Sequence, residues 1–67
     1  MFRFGEFYLT KRRDDSVWVM ADETDEEYVD ALKKDRSALH RLRTGQIVTA
    51  VWYGKESKEF RFEKFYY

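Results

Sequence analysis

The chain contains no cysteine, no proline and no asparagine, and it has a single histidine. Without cysteine there can be no disulfide bond, no thiolate metal ligand and no cysteine nucleophile. Without asparagine there is no acceptor for N-linked glycosylation. Glycine occurs three times in 67 residues, and no glycine-rich phosphate-binding loop is present. These absences remove most of the motifs from which an enzymatic activity could be inferred.

The chain is short and its charges balance. Its 67 residues, 43% of them hydrophobic, fit one small globular domain over residues 1–67, with little core to support an elaborate active site. Lys and Arg together number 13, as do Asp and Glu, which argues against a protein that coats DNA. No apolar run approaches the ~20 residues of a membrane span, and no signal peptide is recognisable. We therefore expect a cytoplasmic protein that does not associate with membranes.

Aromatic and β-branched residues predict four strands, at residues 2–11, 16–21, 46–53 and 58–67. Between the second and third strands, apolar residues recur at helical spacing, which predicts one helix over residues 25–44. Thr24 and Glu27 fit a capping box at its start, and Gly45 is placed to end it. The order ββαββ predicts an α+β fold, in which a four-stranded antiparallel sheet carries one helix packed on one face.

Two of the predicted strands are apolar on both faces. Trp18 and Met20 point away from the neighbouring valines, because successive side chains alternate across a strand, and Trp52 belongs to a similar run. One helix covers one face, so these three residues should form an exposed apolar sheet surface of the type that marks an interface. We therefore expect a homodimer. The alternative is a small curled β-barrel with one helix, bent at Gly5, which would hide both faces.

The acidic residues are concentrated in one part of the chain. Residues 14–30 carry eight acids and no base, which is more than the dipole at a helix start calls for. If the turn after the first strand lies near the helix start, these acids form one negative patch suited to a basic partner protein. The alternative is an ordinary solvated surface. The acids expected to carry recognition are Asp14, Asp15, Asp22, Glu23 and Glu26.

The second half of the predicted helix is basic, since residues 31–43 hold five bases and one acid. These bases could lie on a nucleic-acid backbone, or they could simply form the solvated outer face of the helix. The bases of this alternative nucleic-acid site are Lys33, Lys34, Arg36, Arg41 and Arg43.

The tripeptide Phe-Arg-Phe occurs at residues 2–4 and again at residues 60–62. Strands that mix aromatic and basic residues can form a platform for stacked bases. The same alternation is typical of any half-buried strand, and we favour that interpretation.

No group of residues indicates catalysis. His40 lies among arginines on the polar side of the predicted helix, and no serine has the setting of an activated nucleophile. We predict no enzymatic activity, no metal and no cofactor. The leading hypothesis is a protein-binding regulator or inhibitor, of the type that phages encode against host or defence proteins, using the acidic patch and the apolar sheet face. The alternative is a small nucleic-acid-binding regulator, using the basic half of the helix and the aromatic strands.

Overall fold

The computed structural model describes residues 2–13 and 16–64, which form an α+β fold of one antiparallel sheet and two helices. The strands are β1 (Arg3–Phe4), β2 (Phe7–Arg12), β3 (Trp18–Met20), β4 (Val48–Ala50) and β5 (Lys58–Lys64). A 3₁₀ turn (Glu23–Asp25) leads into α1 (Glu26–Lys34), and α2 (Arg36–Arg43) follows. The sheet order is β1-β2-β5-β4, with β3 also paired to β2. The sheet is open, so the closed barrel was a wrong prediction.

The first predicted strand is a hairpin. Phe4 of β1 pairs with Phe7 of β2, and Gly5 and Glu6 form the two-residue turn between them. Gly5 has a φ of +62°, as glycine has at the first central position of a type II′ turn. Gly5 therefore reverses the chain and does not bend one long strand. Because β5 pairs along one edge of β2, β1 and β3 lie end to end along its other edge.

The single predicted helix is two helices separated at Asp35. The backbone of Asp35 is extended (φ −99°, ψ 102°), and its carboxylate accepts hydrogen bonds from the N–H groups of Ser37 (3.0 Å) and Ala38 (3.2 Å). A carboxylate in this position satisfies the free N–H groups of a helix start. Asp35 therefore begins α2 at the point where it interrupts the apolar stripe, and the one-helix detail of the prediction was wrong.

The second helix ends at Gly45, as predicted. Gly45 has a φ of +84°, and its N–H donates to the carbonyl of Leu42 at 3.0 Å. The N–H of Gln46 donates to the carbonyl of Arg41 at 3.0 Å. This pair of bonds is a Schellman motif, which needs a residue in the left-handed region and so favours glycine.

The start of the helical segment differs from the prediction. The capping box is formed by Asp22 and Asp25, two residues earlier than Thr24 and Glu27. The Asp22 carboxylate accepts from the N–H of Thr24 at 3.0 Å, and the Asp25 carboxylate accepts from the N–H of Asp22 at 3.3 Å. The extra turn of 3₁₀ helix that this box starts explains the shift.

The helices cover one face of the sheet, and the core lies between the helices and that face. The buried apolar residues are Leu9, Ala21, Tyr28, Val29, Leu32, Ala38, Leu42, Val48, Ala50 and Phe60. Phe62 packs against this core and stacks on Phe7, with ring centroids 5.3 Å apart. Arg3 and Arg61 are exposed, so the Phe-Arg-Phe segments place phenylalanine inward and arginine outward. This agrees with the half-buried-strand interpretation.

A buried carboxylate joins the helical layer to the sheet. Asp25 is fully buried, with one oxygen 2.5 Å from the Lys11 ammonium of β2 and the other 2.7 Å from the Lys58 ammonium of β5. The hydrogen bond that the Lys58 ammonium donates to the Asp25 carboxylate raises the pKa of Lys58 above its ordinary value. Because each carboxylate oxygen is bound to a cation, the cost of burying the charge is offset.

The substitution Asp25→Ala tests this connection. It leaves the Lys58 ammonium without its carboxylate partner and leaves Lys11 with only Asp22, at 3.5 Å, so we expect it to lower the free energy of unfolding by about 3 kcal/mol. Urea unfolding measures the change. Glu23→Ala, at an exposed position in the same turn, should change stability by no more than about 0.5 kcal/mol. Equal stability of the two variants would contradict the role given to Asp25.

Candidate functional site

Three parts of the chain meet at one end of the sheet. We call this region the loop end: it comprises residues 13 and 16–17 after β2, residues 22–27 at the helix start, and the β4–β5 loop at residues 51–57. The hydroxyl of Tyr28 donates to the carbonyl of Glu56 at 2.6 Å, and Lys55 forms an ion pair with Glu27. The β4–β5 loop is therefore held against the start of α1.

The β4–β5 loop exposes apolar side chains in a fixed turn. Lys55 N–H donates to the Trp52 carbonyl at 2.9 Å, and Gly54 has a φ of +78°, the arrangement of a type II turn with glycine in third place. This geometry places Tyr53, 98% exposed, at the outermost corner, beside Trp52 (37%) and Val51 (65%). We call these three residues the aromatic tip. Val17, 55% exposed, also lies at the loop end.

A polar groove of about 470 Å³ runs along the loop end. Its lining residues are Arg12, Arg13, Ser16, Thr49, Glu56, Ser57, Lys58 and Glu59. Arg12 is bound to Glu59 at 2.7 Å, and Lys58 is bound to the buried Asp25. Two of the three cations of the groove therefore already have carboxylate partners, and the third, Arg13, is exposed and forms no ion pair with a described acid.

The residues of the predicted acidic patch have different roles in the structure. Asp14 and Asp15 lie outside the described residues. Asp22 caps the helical segment, and hydrogen bonds from Thr24 lower the pKa of its carboxyl to about 2. Glu23 and Glu26 are exposed and form no ion pair with any other residue in the described part of the chain. The charges available to a partner are therefore those of Glu23 and Glu26, whereas Asp22 is needed for the helix start.

The predicted apolar sheet face is smaller than expected. Trp18 and Met20 lie on the face away from the helices and are half-buried, with the Arg61 guanidinium 4.7 Å above the Trp18 ring. Trp52 is not on this face, because β4 ends at Ala50 and the chain then enters the loop. The outer-face residues of β2 and β5 are mostly polar or charged: Tyr8, Thr10 and Arg12 on the first strand, and Glu59, Arg61 and Glu63 on the second. The homodimer stays a prediction, without the broad apolar surface on which it was based.

The predicted basic residues form a second group, away from the loop end. Lys33 lies 5.7 Å from the ring of Phe4, next to the Gly5 turn at the opposite end of the sheet. Lys34 and the three arginines Arg36, Arg41 and Arg43 are exposed, as is His40. The Phe4 contact therefore places Lys33 at the opposite end of the sheet from the loop end.

The aromatic tip is the part of the site that the sequence pattern misplaced. Residues 51–53 were assigned to a strand because they are apolar, although Gly54 after Tyr53 is a signal for a turn that exposes the residue before it. Trp52 was predicted as an interface residue, and it is exposed on the loop and not on the sheet.

Comparison with known proteins assigns no family, since no family model, no curated protein and no solved structure matches the chain. Within residues 2–13 and 16–64, no three His, Asp or Glu side chains are grouped so that they could hold a metal ion. Neither helix in this part of the chain is long and apolar enough to cross a membrane.

The cap formed by Asp22 should make stability depend on pH. Its pKa is lowered from 3.8 to about 2, so its ionised form stabilises the fold above pH 4, and this contribution is lost as pH falls towards 2. Asp22→Asn keeps an acceptor for the Thr24 N–H but removes the charge. Thermal melting of the two proteins should differ most at neutral pH and converge near pH 2. A difference that stays constant over this range would contradict the assignment.

Proposed function

We propose that this protein is a non-enzymatic regulator or inhibitor that binds a basic partner protein through its loop end. One observation carries the proposal: Tyr53 and part of Trp52 are exposed in a fixed turn whose loop is bound to Glu27 and Tyr28 of α1. Glu23 and Glu26, close by in sequence, are exposed and form no ion pair with a described residue. A protein of this kind acts by covering a surface of its partner.

The residue types at the aromatic tip favour a protein partner. Tryptophan and tyrosine dominate the energetic centres of protein interfaces, because they bury a large area and lose little conformational entropy. Tyr53 projects from the surface and Trp52 is exposed over about a third of its area, so the pair suits contact with a partner's pocket. The loop that carries them is anchored through Lys55 and Glu56, which lowers the entropic cost of ordering it on binding.

The charges around the aromatic tip favour a basic partner. Glu23 and Glu26 are one turn apart and exposed, and no described cation neutralises them by an ion pair. Such charges steer association over distances of the Debye length and set which partner is accepted. The surface that fits the loop end is therefore an apolar pocket with lysine or arginine at its edge.

Removal of the aromatic tip should abolish capture of the partner. With nuclease-treated lysate and immobilised protein, Trp52→Ala together with Tyr53→Ala should weaken retention by at least about thirtyfold, the effect of losing one interface anchor. Ile47→Ala is the matched control, since Ile47 is another exposed apolar residue, 51% exposed, outside the loop end. Retention unchanged by the double substitution, or reduced equally by the control, would refute the proposed site.

Reversal of the unpaired acids should slow association. Glu23→Lys with Glu26→Lys should lower the association rate of the captured partner, and the effect should shrink at high salt because steering is screened. The control is Glu6→Lys with Glu63→Lys, which changes the net charge equally at two other exposed positions. Surface plasmon resonance gives the rates. An unchanged rate in the first variant, or equal slowing in both, would show that Glu23 and Glu26 do not guide a partner.

A further inference from the structure

The basic residues from the end of α1 through α2 have no anionic partner among the residues that the structure describes. Lys33, Lys34, Arg36, Arg41 and Arg43 are all exposed, and none forms an ion pair with any acid in residues 2–13 and 16–64. We call these five residues the basic face. The one acid among them, Asp35, directs its carboxylate to the N–H groups of Ser37 and Ala38. The basic face therefore carries uncompensated positive charge, although the whole chain is neutral.

Four of the other bases are held in ion pairs, whereas the exposed residues Arg3, Arg13 and Arg61 form none with a described acid and are scattered over the sheet and its loops. Lys11 and Lys58 bind Asp25, Lys55 binds Glu27, and Arg12 binds Glu59. These pairs use up lysines and an arginine close to the acidic segment. The ion pairs thus lie near the loop end, whereas the basic face stays open to an external anion.

The basic face is mounted on a well-defined helix. Ala38 and Leu42 are buried in the core, the Asp35 carboxylate caps the start of α2, and Gly45 ends it. Arg36 and Arg43 lie two turns apart on the same side of α2, with His40 between them and Arg41 on the adjacent side. Eight residues of helix span about 12 Å, which matches about three phosphates along one strand of a duplex.

From this arrangement we infer that the basic face binds the phosphate backbone of nucleic acid. Arginine suits this ligand because its planar guanidinium can donate two hydrogen bonds to one phosphate. An acidic protein is a poorer fit, because a protein interface has an apolar centre and the exposed residues of α2 are all polar. A membrane is also a poorer fit, since the apolar side of α2 is buried in the core and cannot enter lipid.

The binding should be independent of base sequence and weak. The exposed side of α2 carries no phenylalanine, tyrosine or tryptophan, so it lacks the large rings on which unpaired bases stack most strongly. Asp30, exposed one turn before Lys33 and Lys34, repels phosphate and limits contact to the last turn of α1 and to α2. We expect a dissociation constant of about 10⁻⁵ M at physiological salt, in the non-specific range. This inference does not depend on the proposed protein partner.

Fluorescence anisotropy with a labelled DNA duplex tests the inference over a series of salt concentrations. For about three phosphate contacts, the logarithm of the association constant should fall with the logarithm of salt concentration at a slope of about −2.7. Arg36→Gln, Arg41→Gln and Arg43→Gln in one chain should weaken binding at low salt by about tenfold or more and make the slope clearly less steep, because only Lys33 and Lys34 of the basic face remain. Glutamine is a good helix former, and thermal melting shows whether the variant is folded.

The matched control loses the same charge from other surfaces. Arg3, Arg13 and Arg61 are exposed outside the basic face, and their joint change to glutamine should leave most of the affinity and the slope in place. Equal losses in both variants would overturn the inference, because net charge alone would then explain the binding. So would the absence of binding at low salt, or tighter binding to polyglutamate or to phosphatidylserine vesicles than to the duplex.

Discussion

The Asp25 carboxylate, held between the ammonium groups of Lys11 and Lys58, is the contact on which the rest of the arrangement depends. It joins the start of the helical layer to β2 and β5, the two strands with the longest shared register. Because Asp25 is drawn into the core, the neighbouring Glu23 and Glu26 are left facing solvent. Lys58 is the first residue of β5, directly after the β4–β5 loop, so the same contact holds the aromatic tip near the acids.

Overall neutrality of charge conceals two unlike surfaces. Around the loop end, Lys11, Arg12, Lys55 and Lys58 are bound in internal ion pairs, and the exposed charges outside these pairs include Glu23, Glu26, Glu56 and Arg13, close to apolar side chains. At α2 the single acid is occupied with capping the helix, and what is left exposed is arginine and lysine. The first surface has the apolar centre and charged edge of a protein interface, whereas the second has only charge, as phosphate recognition requires.

Local patterns predicted the features that local physics determines. The general positions of strands and helix, and the helix end at Gly45, follow from residue type and spacing. The break at Asp35 shows in the sequence only as an interruption of the apolar stripe, because an aspartate that can cap a helix start can also face solvent within a helix. Pairing of β2 with β5 and burial of Asp25 join residues far apart in the chain, so the pattern could not show which acids would be neutralised. Residue type alone identified Glu23, Glu26 and Trp52 as candidates. Residues 51–53 were nevertheless assigned to a strand, because the pattern does not show where β4 ends.

The most direct test of the account is amide hydrogen exchange on the protein, free and bound to the partner that it captures. The central claim is that the loop end is the surface for protein recognition. It predicts slower exchange on binding at residues 16–17, 22–27 and 51–57, with exchange at residues 33–43 and along β2 and β5 unchanged. Protection confined to residues 33–43, or to the outer sheet strand at Trp18 and Met20, would contradict it.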